Sequence, residues 1–458
     1  MNGIRGIGGV FPQLEKTTIS EGKCYTSTNG RQTQRISTGP RKNGRIGTGG
    51  AGTVKIGIQC QSTARFLRKP AQTSDTEVVL KKVTMDDSLS RQAVQKEWTI
   101  ATELLAAAHE RGLLSPPNCI IPKTVYQYEG SKQSQPVQKA VFKMEKARYG
   151  DVLNLLGKIF SNNHTWNAFE KILSLYNVTF EDFIAKAFKD IVTAVNFFHE
   201  RNICHRDLKL GNTFVKEDGT FNVGDVGSAA HADNHDECLT IECCLSTAGP
   251  EILTVGRILE ISANYPPKLK TEIRDIIIIR NKDGVKELVK NFREGNISFT
   301  TEQMQREFQE MIRLLDDYIS SLDLPGFEQD LWSLGCILYK LNIGRDILDV
   351  SFLSDPFSEN AQFDTFVDKR SMTSCLQLMN ELRKKLDRLP GDTRFEENSW
   401  QHLAIDLLQS NPNLRKTSGR ILEHEYLTRD LPSDEQMAQI IASFNGWADG
   451  NLQVVYGY

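Results

Sequence analysis

The 458-residue sequence predicts an α+β fold, with strands concentrated near its start and long helices in most of the remainder. Two observations predict it. Apolar residues alternate with period two at Val54, Ile56 and Ile58, as in a half-buried strand. By contrast, residues 90–111 and 180–200 repeat apolar residues at helical spacing. We therefore expect a small β-rich part followed by a larger, mostly helical part.

The composition excludes several classes of protein. The 55 Lys and Arg residues are nearly balanced by 58 Asp and Glu residues, so the net charge does not indicate nucleic acid or a membrane surface as a partner. No apolar stretch approaches the roughly 20 residues of a membrane span. The nine cysteines lack the spacing of a disulfide framework, which favours a reducing compartment, so we expect a cytoplasmic protein.

Residues 1–44 are rich in Gly, Ser, Thr, Asn and Gln, with seven basic residues against two acidic ones. Because such a composition buries little apolar surface, it predicts a flexible basic segment.

A glycine-rich stretch follows, and residues 45–58 read R-I-G-T-G-G-A-G-T-V-K-I-G-I, with G-x-G-x-x-G spacing. A strand follows the glycines, whereas the dinucleotide-binding fingerprint requires a helix there, and the Lys-Ser or Lys-Thr of a P-loop is missing. Without Cβ atoms, the backbone N–H groups of a hairpin can approach phosphates closely. The candidate phosphate-binding residues are Gly47, Thr48, Gly49, Gly50, Gly52 and Val54.

The most informative stretch begins C-H-R-D-L-K-L-G-N at Cys204. Phosphoryl transfer from ATP needs an acidic group near the attacking hydroxyl, a cation near the γ-phosphate and oxygen ligands for Mg²⁺. Asp207, Lys209 and Asn212 supply these groups within a few residues. The Asp-Gly turn at residues 218–219 lies between two strand-like runs and so predicts a hairpin that leads to Asp225.

This stretch resembles the catalytic and metal-binding loops of eukaryotic-type protein kinases, with Asp225-Val226-Gly227 in place of D-F-G. The resemblance implies a bilobal fold, with a β-rich N-lobe over 45–147 that carries one regulatory helix, and a larger, mostly helical C-lobe over 148–429. It also implies transfer of the γ-phosphate of ATP to Ser or Thr hydroxyls of protein substrates, with Mg²⁺ or Mn²⁺, and autophosphorylation.

The resemblance assigns roles to individual residues. Asp207 orients the acceptor hydroxyl and accepts its proton, while Lys209 stabilises charge on the phosphoryl group and marks the Ser/Thr-specific type. Asn212 and Asp225 bind the metal. The remaining nucleotide-binding candidates are Val79, Lys81, Met144, Glu145, Ala147, Asp151 and Phe214.

Residues 77–83, E-V-V-L-K-K-V, resemble the third strand of the kinase N-lobe, with Lys81 as the phosphate-binding lysine and Lys82 as its competitor. In the helix that follows, Glu97 lies within the apolar stripe. A buried carboxylate needs a partner, and in this family the partner is the strand lysine, so we expect a Lys81–Glu97 ion pair. The alternative is a surface position for Glu97.

Three later features extend the resemblance. Gly249-Pro250-Glu251 is similar to the A-P-E element, and Arg415 stands where the family pairs an arginine with its glutamate. Asp330 begins a segment similar to the central C-lobe helix, whose aspartate holds the catalytic loop. Residues 430–458 form an additional tail.

Residues 252–327 form a long insertion. The capping box Thr300-x-x-Gln303 predicts a helix. Its apolar stripe either packs on the C-lobe or binds a regulator or protein substrate; its members are Met304, Phe308, Met311, Leu315, Tyr318 and Leu322.

Two other functions are open. A pseudokinase scaffold would keep the fold without chemistry, and Val226 in place of the family's Phe favours this reading. A small-molecule phosphotransferase shares the catalytic logic, but we would not expect it to retain both the G-P-E element and Arg415.

Overall fold

The computed structural model describes residues 15–19, 22–29, 32–38, 45–49, 52–63, 76–132, 135–234, 244–279, 281–295, 297, 299–321, 326–350, 357, 371–386 and 395–450. The chain forms two compact units. The first contains the described residues up to Arg148 together with Gly224–Gly227, and the second contains Tyr149–Val223 and the described residues from Ser228 onward.

The first unit is built on an antiparallel sheet with one long helix. In chain order its elements are strands β1 (Glu15–Ile19), β2 (Gly22–Asn29), β3 (Gln32–Thr38), β4 (Arg45–Gly49), β5 (Gly52–Thr63) and β6 (Thr76–Met85), helix α1 (Ser88–Glu110), and strands β7 (Cys119–Ile120), β8 (Thr124–Lys132) and β9 (Gln135–Glu145).

The strand order in this sheet is β1-β2-β3-β5-β6-β9-β8, and β4 pairs with β5. Helix α1 begins with a capping box, in which the Asp87 carboxylate accepts from the Ser90 backbone and the Ser90 hydroxyl accepts from the Asp87 backbone. Val94 of α1 is buried in an apolar cluster with Val125 and Phe142. The same cluster includes Val83 and Met85, so the packing fixes α1 against β6, the strand that carries Lys81.

Residues 15–38 differ from the predicted flexible segment, because three strands form there. β3 pairs with β5 from Gln32↔Thr63 to Ser37↔Ile58. The prediction relied on the low apolar content, which reports side-chain burial, whereas a strand ladder is held by backbone hydrogen bonds. The rest of residues 1–44 lies outside the described part of the chain.

The second unit is mostly helical. In chain order its elements are helices α2 (Val152–Ile159), α3 (Asn163–Leu175) and α4 (Phe180–His199), strands β10 (Ile203–Cys204), β11 (Thr213–Val215), β12 (Phe221–Gly224) and β13 (Ala230–His231), and helices α5 (Pro250–Ser262), α6 (Pro267–Ile279), α7 (Lys282–Arg293), α8 (Glu302–Ser321), α9 (Phe327–Ile343), α10 (Met372–Leu386), α11 (Trp400–Leu407), α12 (Ser418–Leu422), α13 (Glu425–Thr428) and α14 (Asp434–Ala448).

Two helices form the core of this unit. α4 buries an aromatic face that includes Phe183 and Phe198, and α9 is buried along most of its length, with Trp332 completely enclosed. The predicted pairing of Glu251 with Arg415 is confirmed, because Arg415 Nη1 and Nη2 donate to the two carboxylate oxygens at 2.8 and 3.0 Å. This bidentate pair ties the start of α5 to the segment before α12.

The insertion over 252–327 folds onto the second unit. α8 packs against α5, where Arg257 binds Glu310 through two hydrogen bonds of 3.1 Å. Four members of the predicted apolar stripe are buried, namely Phe308, Met311, Leu315 and Tyr318. Leu322 lies outside the described residues. These four side chains are therefore packed and not available to a partner, whereas Met304 of the same stripe is partly exposed.

The tail also forms structure, because residues 434–448 form α14. Its side chains Met437, Ile440, Ile441 and Phe444 are fully buried. Phe444 packs edge-on against Phe169 of α3, with ring centroids 5.0 Å apart.

We expect Arg415→Met to lower the free energy of unfolding by about 3–5 kcal/mol, because it leaves the Glu251 carboxylate buried and unpaired. Urea denaturation measures the change. The matched control is Arg420→Met, which breaks an exposed pair with Glu423 and should cost less than about 1 kcal/mol. Equal effects of the two variants would show that burial does not govern this pair.

Candidate active site

Lys81 lies at the centre of the sheet of the first unit. On β6 it pairs with Val54 of β5 on one side and with Phe142 of β9 on the other. Strand residues alternate between the two faces of a sheet, so Lys81 and Lys82 point in opposite directions. Lys81 is buried, whereas Lys82 is partly exposed.

The Lys81 ammonium binds two carboxylates. Its Nζ lies 2.9 and 3.1 Å from the two carboxylate oxygens of Glu97 and 2.6 Å from Asp225 Oδ1. Glu97 is only 4% exposed, so α1 presents this carboxylate to the sheet and not to solvent. The structure therefore contains the expected Lys81–Glu97 pair, together with a contact to Asp225 that the sequence analysis did not anticipate.

Opposing effects act on the pKa of Lys81. Burial lowers the pKa of Lys81, whereas the charges of Glu97 and Asp225 and the hydrogen bonds to them raise it. Together these charges and hydrogen bonds outweigh burial, so the net shift is upward. Lys81 is therefore a permanent cation at neutral pH. A cation of this kind can bind phosphate oxygens without changing its own protonation state.

The backbone at Asp225 is held in a rarely populated conformation, with φ of 61°. Such positive φ angles in residues other than glycine cluster at functional sites. Val226 is completely buried, and a Cβ atom placed on Gly227 would lie 3.4 Å from Lys81 Nζ, Glu97 Oε2 and Asp225 Oδ1. The backbone of Gly227 therefore lies directly beside the three charged groups.

The glycine-rich stretch forms a hairpin of β4 and β5, closed by the pair Gly49↔Gly52, with Thr48↔Thr53 and Gly47↔Val54 beside it. Gly50 lies outside the described residues. Elsewhere in the sheet Val79 pairs with Met144, near the end of β9, and Glu145 is the last residue of that strand. Ala147 follows in the segment that leaves the sheet.

The second unit holds the other candidate catalytic groups in the loop between β10 and β11. Lys209 Nζ lies 2.6 Å from Asp207 Oδ2, and Asn212 Nδ2 donates to the same oxygen at 2.9 Å and to the Asp207 carbonyl at 2.9 Å. Because both donated bonds use the amide nitrogen, the Asn212 carbonyl oxygen is the amide atom that can bind a cation.

The two carboxylate oxygens of Asp207 differ in their surroundings. Its Oδ1 is buried and has no hydrogen-bond partner within the described ranges of the chain. A buried carboxylate oxygen without a donor is unfavourable unless a ligand supplies one, and a hydroxyl group would do so. This geometry suits an oxygen that accepts a proton from an incoming hydroxyl.

Asp330 holds the loop that carries Asp207. Its completely buried carboxylate accepts hydrogen bonds from the backbone nitrogens of His205 at 2.7 Å and Arg206 at 2.8 Å, and it contacts His199 Nε2 at 3.0 Å. Gln329 donates to the Arg206 carbonyl at 2.9 Å. These contacts support the left-handed conformation of Arg206, whose φ is 69°.

Asp151 and Phe214 are neighbours in the second unit, joined by an antiparallel backbone bridge. The Asp151 carboxylate caps α2 by accepting from the Asn154 backbone at 2.8 Å. This capping bond fixes the Asp151 side chain at the start of α2.

Residues 138–264 match the family model described as protein kinase domain. Serine/threonine-protein kinase PLK2 of Mus musculus is 40% identical over 263 residues, which are 57% of this chain and 25% of the relative. Serine/threonine-protein kinase polo of Drosophila melanogaster is 22% identical over 238 residues, or 52% of this chain and 25% of the relative. The matched part of this chain is thus similar to eukaryotic-type serine/threonine protein kinases.

A shorter similarity, 43% identity over 54 residues, is to CBL-interacting serine/threonine-protein kinase 15 of Arabidopsis thaliana, and it covers 12% of the chain and 13% of the relative. The chain thus spans a quarter or less of the length of these relatives. Within the described part of the chain, none of the helices combines the length and the apolar character that a membrane crossing requires.

The structure assembles Lys81, Glu97 and Asp225 within the first unit and Asp207, Lys209 and Asn212 within the second. Sequence reasoning missed His199, which bridges Asp330 and the Ser418 hydroxyl. The available signal was a histidine in the last turn of α4, directly before the catalytic loop.

We expect Asp330→Asn to lower the free energy of unfolding by about 3 kcal/mol at pH 7, because two buried amide donors lose a charged acceptor. Burial tends to raise the pKa of Asp330, but its contacts with His199 and His205 outweigh burial and hold the pKa below the ordinary value of 3.8. The wild-type advantage is therefore present above that value and is lost as the pH falls through the lower folded-state pKa.

Urea unfolding of wild type and variant at a series of pH values measures this difference. Asp316→Asn, which alters an exposed aspartate on α8, is the control and should have little effect. A difference that stayed constant down to the lowest pH at which both proteins fold would contradict the assigned ionised state of Asp330.

Proposed function

We propose that this chain is an ATP- and Mg²⁺-dependent kinase that phosphorylates Ser and Thr hydroxyls of proteins, including its own. The observation that carries this proposal is the contact of the buried Lys81 ammonium with the buried Glu97 carboxylate and with Asp225, whose side chain is 44% exposed. A scaffold without chemistry has no need to keep an ammonium and a carboxylate away from water beside a second, accessible carboxylate, since buried charged groups are costly.

The proposed metal ligands are Asp225 and Asn212. The Asp225 side chain is 44% exposed, so its carboxylate is accessible to a cation, and the donated bonds of Asn212 leave its carbonyl oxygen as the possible ligand. Carboxylate and amide oxygens are the ligands that Mg²⁺ prefers, and Mn²⁺ accepts the same set. When bound, the metal would neutralise charge on the phosphates.

The chain's own groups account for the remaining steps. Asp207 Oδ1 accepts a hydrogen bond from the acceptor hydroxyl, orients it and takes its proton during transfer. Lys209 stabilises negative charge on the transferred phosphoryl group, and Lys81 binds the phosphates that remain. Glu97 fixes the position of Lys81 and leaves its charge available to the nucleotide.

The nucleotide is proposed to bind along the hairpin of β4 and β5 and beside Val79, Met144, Glu145 and Ala147, with Asp151 near the ribose and Phe214 near the base. The glycine backbone supports this, since N–H groups without Cβ atoms beside them can bind phosphate oxygens.

We propose a reducing, cytoplasmic compartment, because Cys119, Cys204, Cys336 and Cys375 are buried free thiols. Protein substrates are supported by the Glu251–Arg415 pair and by the names of the relatives. A regulator or substrate that binds the 252–327 insertion would not contact the side chains of Phe308, Met311, Leu315 and Tyr318, because these four are buried.

The pseudokinase alternative rests on Val226, which is smaller than the family's Phe but is completely buried. A small-molecule phosphotransferase remains the second alternative. Incubating the purified protein with labelled ATP, Mg²⁺ and a generic protein substrate, followed by identification of the labelled residue types, separates the three functions.

We expect Lys81→Met to reduce phosphate transfer by at least about 100-fold, because the nucleotide loses a fixed positive charge. The neighbouring substitution Lys82→Met is the matched control and should retain most of the activity, since Lys82 faces the opposite side of β6. Initial rates at saturating ATP measure both variants. Comparable losses in the two would mean that the phosphate-binding lysine is misassigned.

We expect Asp225→Asn to lower transfer by at least about 100-fold at any Mg²⁺ concentration, while circular dichroism shows an unchanged fold, because the metal loses its charged ligand. The matched control is Asp233→Asn, which removes an exposed aspartate further along the sequence and is expected to have little effect. Transfer by Asp225→Asn at the wild-type rate would overturn the metal assignment.

A further inference from the structure

The C-terminal helix α14 packs against the turn that joins β11 and β12. Gly219 in this turn has φ of 85°, and a Cβ atom there would overlap the Asp434 carbonyl oxygen and the Ala438 backbone nitrogen. The turn is closed by Lys216, which accepts from Gly219 N at 3.2 Å and donates to Thr220 O at 3.1 Å. The helix and the turn therefore meet backbone to backbone, at a distance that only glycine permits.

A chain of charges links the same helix to the hairpin. Lys186 of α4 lies 2.6 Å from Asp190 Oδ1 and 2.7 Å from Asp434 Oδ1 in the first turn of α14. Lys186 and Asp190 are largely buried, with side-chain exposures of 12% and 9%. Burial raises the pKa of Asp190 to about 6 and the Lys186 ammonium opposes this shift, so the carboxylate is ionised at neutral pH with the help of Lys186.

The chain of contacts continues to the proposed metal ligand. Asp190 Oδ2 accepts from the Phe221 backbone nitrogen at 3.1 Å, at the first residue of β12. β12 pairs with β11 in the register Val215↔Phe221 to Thr213↔Val223. Asn212 immediately precedes β11, so the position of its side chain follows the position of this hairpin.

Helix α14 is well anchored at its other end. Tyr176 Oη lies 3.1 Å from Ser443 Oγ, and Trp447 packs against His164 with ring centroids 5.4 Å apart. Together with the buried apolar face of the helix, these contacts fix α14 independently of the hairpin. The hairpin thus rests on a rigid support supplied by the end of the chain.

We propose that α14 braces the β11–β12 hairpin, and that Lys186, Asp190 and Asp434 are positioning residues that hold Asn212 for metal binding. This inference rests on the proposed function, because it assigns Asn212 to the metal. It goes further by making the rate of phosphate transfer depend on the docking of a helix outside the matched kinase segment, which ends at residue 264.

The decisive variant is Asp434→Asn, which removes one charge from the network at a residue whose side chain is 57% exposed, so folding is preserved. Glu435→Gln is the matched control, because it removes a charge from the same helix turn at an exposed neighbour. We expect Asp434→Asn to raise the Mg²⁺ concentration for half-maximal transfer by about three- to tenfold, with a smaller change at saturating Mg²⁺, and Glu435→Gln to change neither.

Hydrogen exchange provides a readout that does not depend on activity. We expect faster exchange over residues 213–224 in Asp434→Asn and wild-type exchange there in Glu435→Gln. Loosening confined to residues 434–448, or faster exchange over 213–224 with an unchanged Mg²⁺ requirement, would overturn the positioning role. A wild-type protein without transfer activity would refute the proposed function and with it the Asn212 role, while exchange would still test whether α14 braces the hairpin.

A glycine pair tests the backbone contact separately. Gly219→Ala should raise the Mg²⁺ requirement in the same direction, because the added methyl group displaces α14. Gly112→Ala imposes a similar backbone strain, at φ of 74°, but its methyl group meets no other atom within 4 Å, so it should leave the requirement unchanged. Equal shifts in both variants, or none in Gly219→Ala, would contradict the brace.

Discussion

The hydrogen bonds that the buried Asp330 carboxylate accepts from the loop after β10 are the interaction on which the candidate site of the second unit depends. The carboxylate accepts them from two consecutive backbone nitrogens, of His205 and Arg206, in a place from which water is excluded. Those bonds hold Arg206 in a conformation that a residue of its kind adopts at a cost of about 1–3 kcal/mol. The position of Asp207 in the loop follows directly.

Buried charges recur in both units, and several are paired with an opposite charge. Lys81 pairs with Glu97, Arg415 with Glu251, and Lys186 with Asp190 and Asp434. Leaving one member of such a pair unsatisfied costs more than the pair contributes, so each pair constrains which segments can lie together. These pairs therefore position the segments that carry them as well as stabilising the fold.

The structure shows where the residues and segments that differ from the kinase motifs are packed. Val226 is enclosed despite its smaller size, and the long insertion buries its apolar stripe against α5 instead of presenting it to solvent. The tail contributes α14, which contacts both α3 and the β11–β12 hairpin. The additions therefore enlarge the core of the second unit.

The sequence by itself determined the elements whose signal is local. Helical periodicity and the preference of Asp-Gly for tight turns were sufficient to predict α1, α4 and the β11–β12 hairpin, and the spacing of residues in the motifs was sufficient to propose candidate catalytic residues. Local patterns could not reveal the strands within residues 15–38, since backbone ladders depend on a partner strand. The contact of Lys81 with Asp225, the bridging role of His199 and the docking of α14 each join residues far apart in the chain. Only the tertiary structure decided these, because ionic and steric contacts depend on distances in space that sequence spacing does not encode.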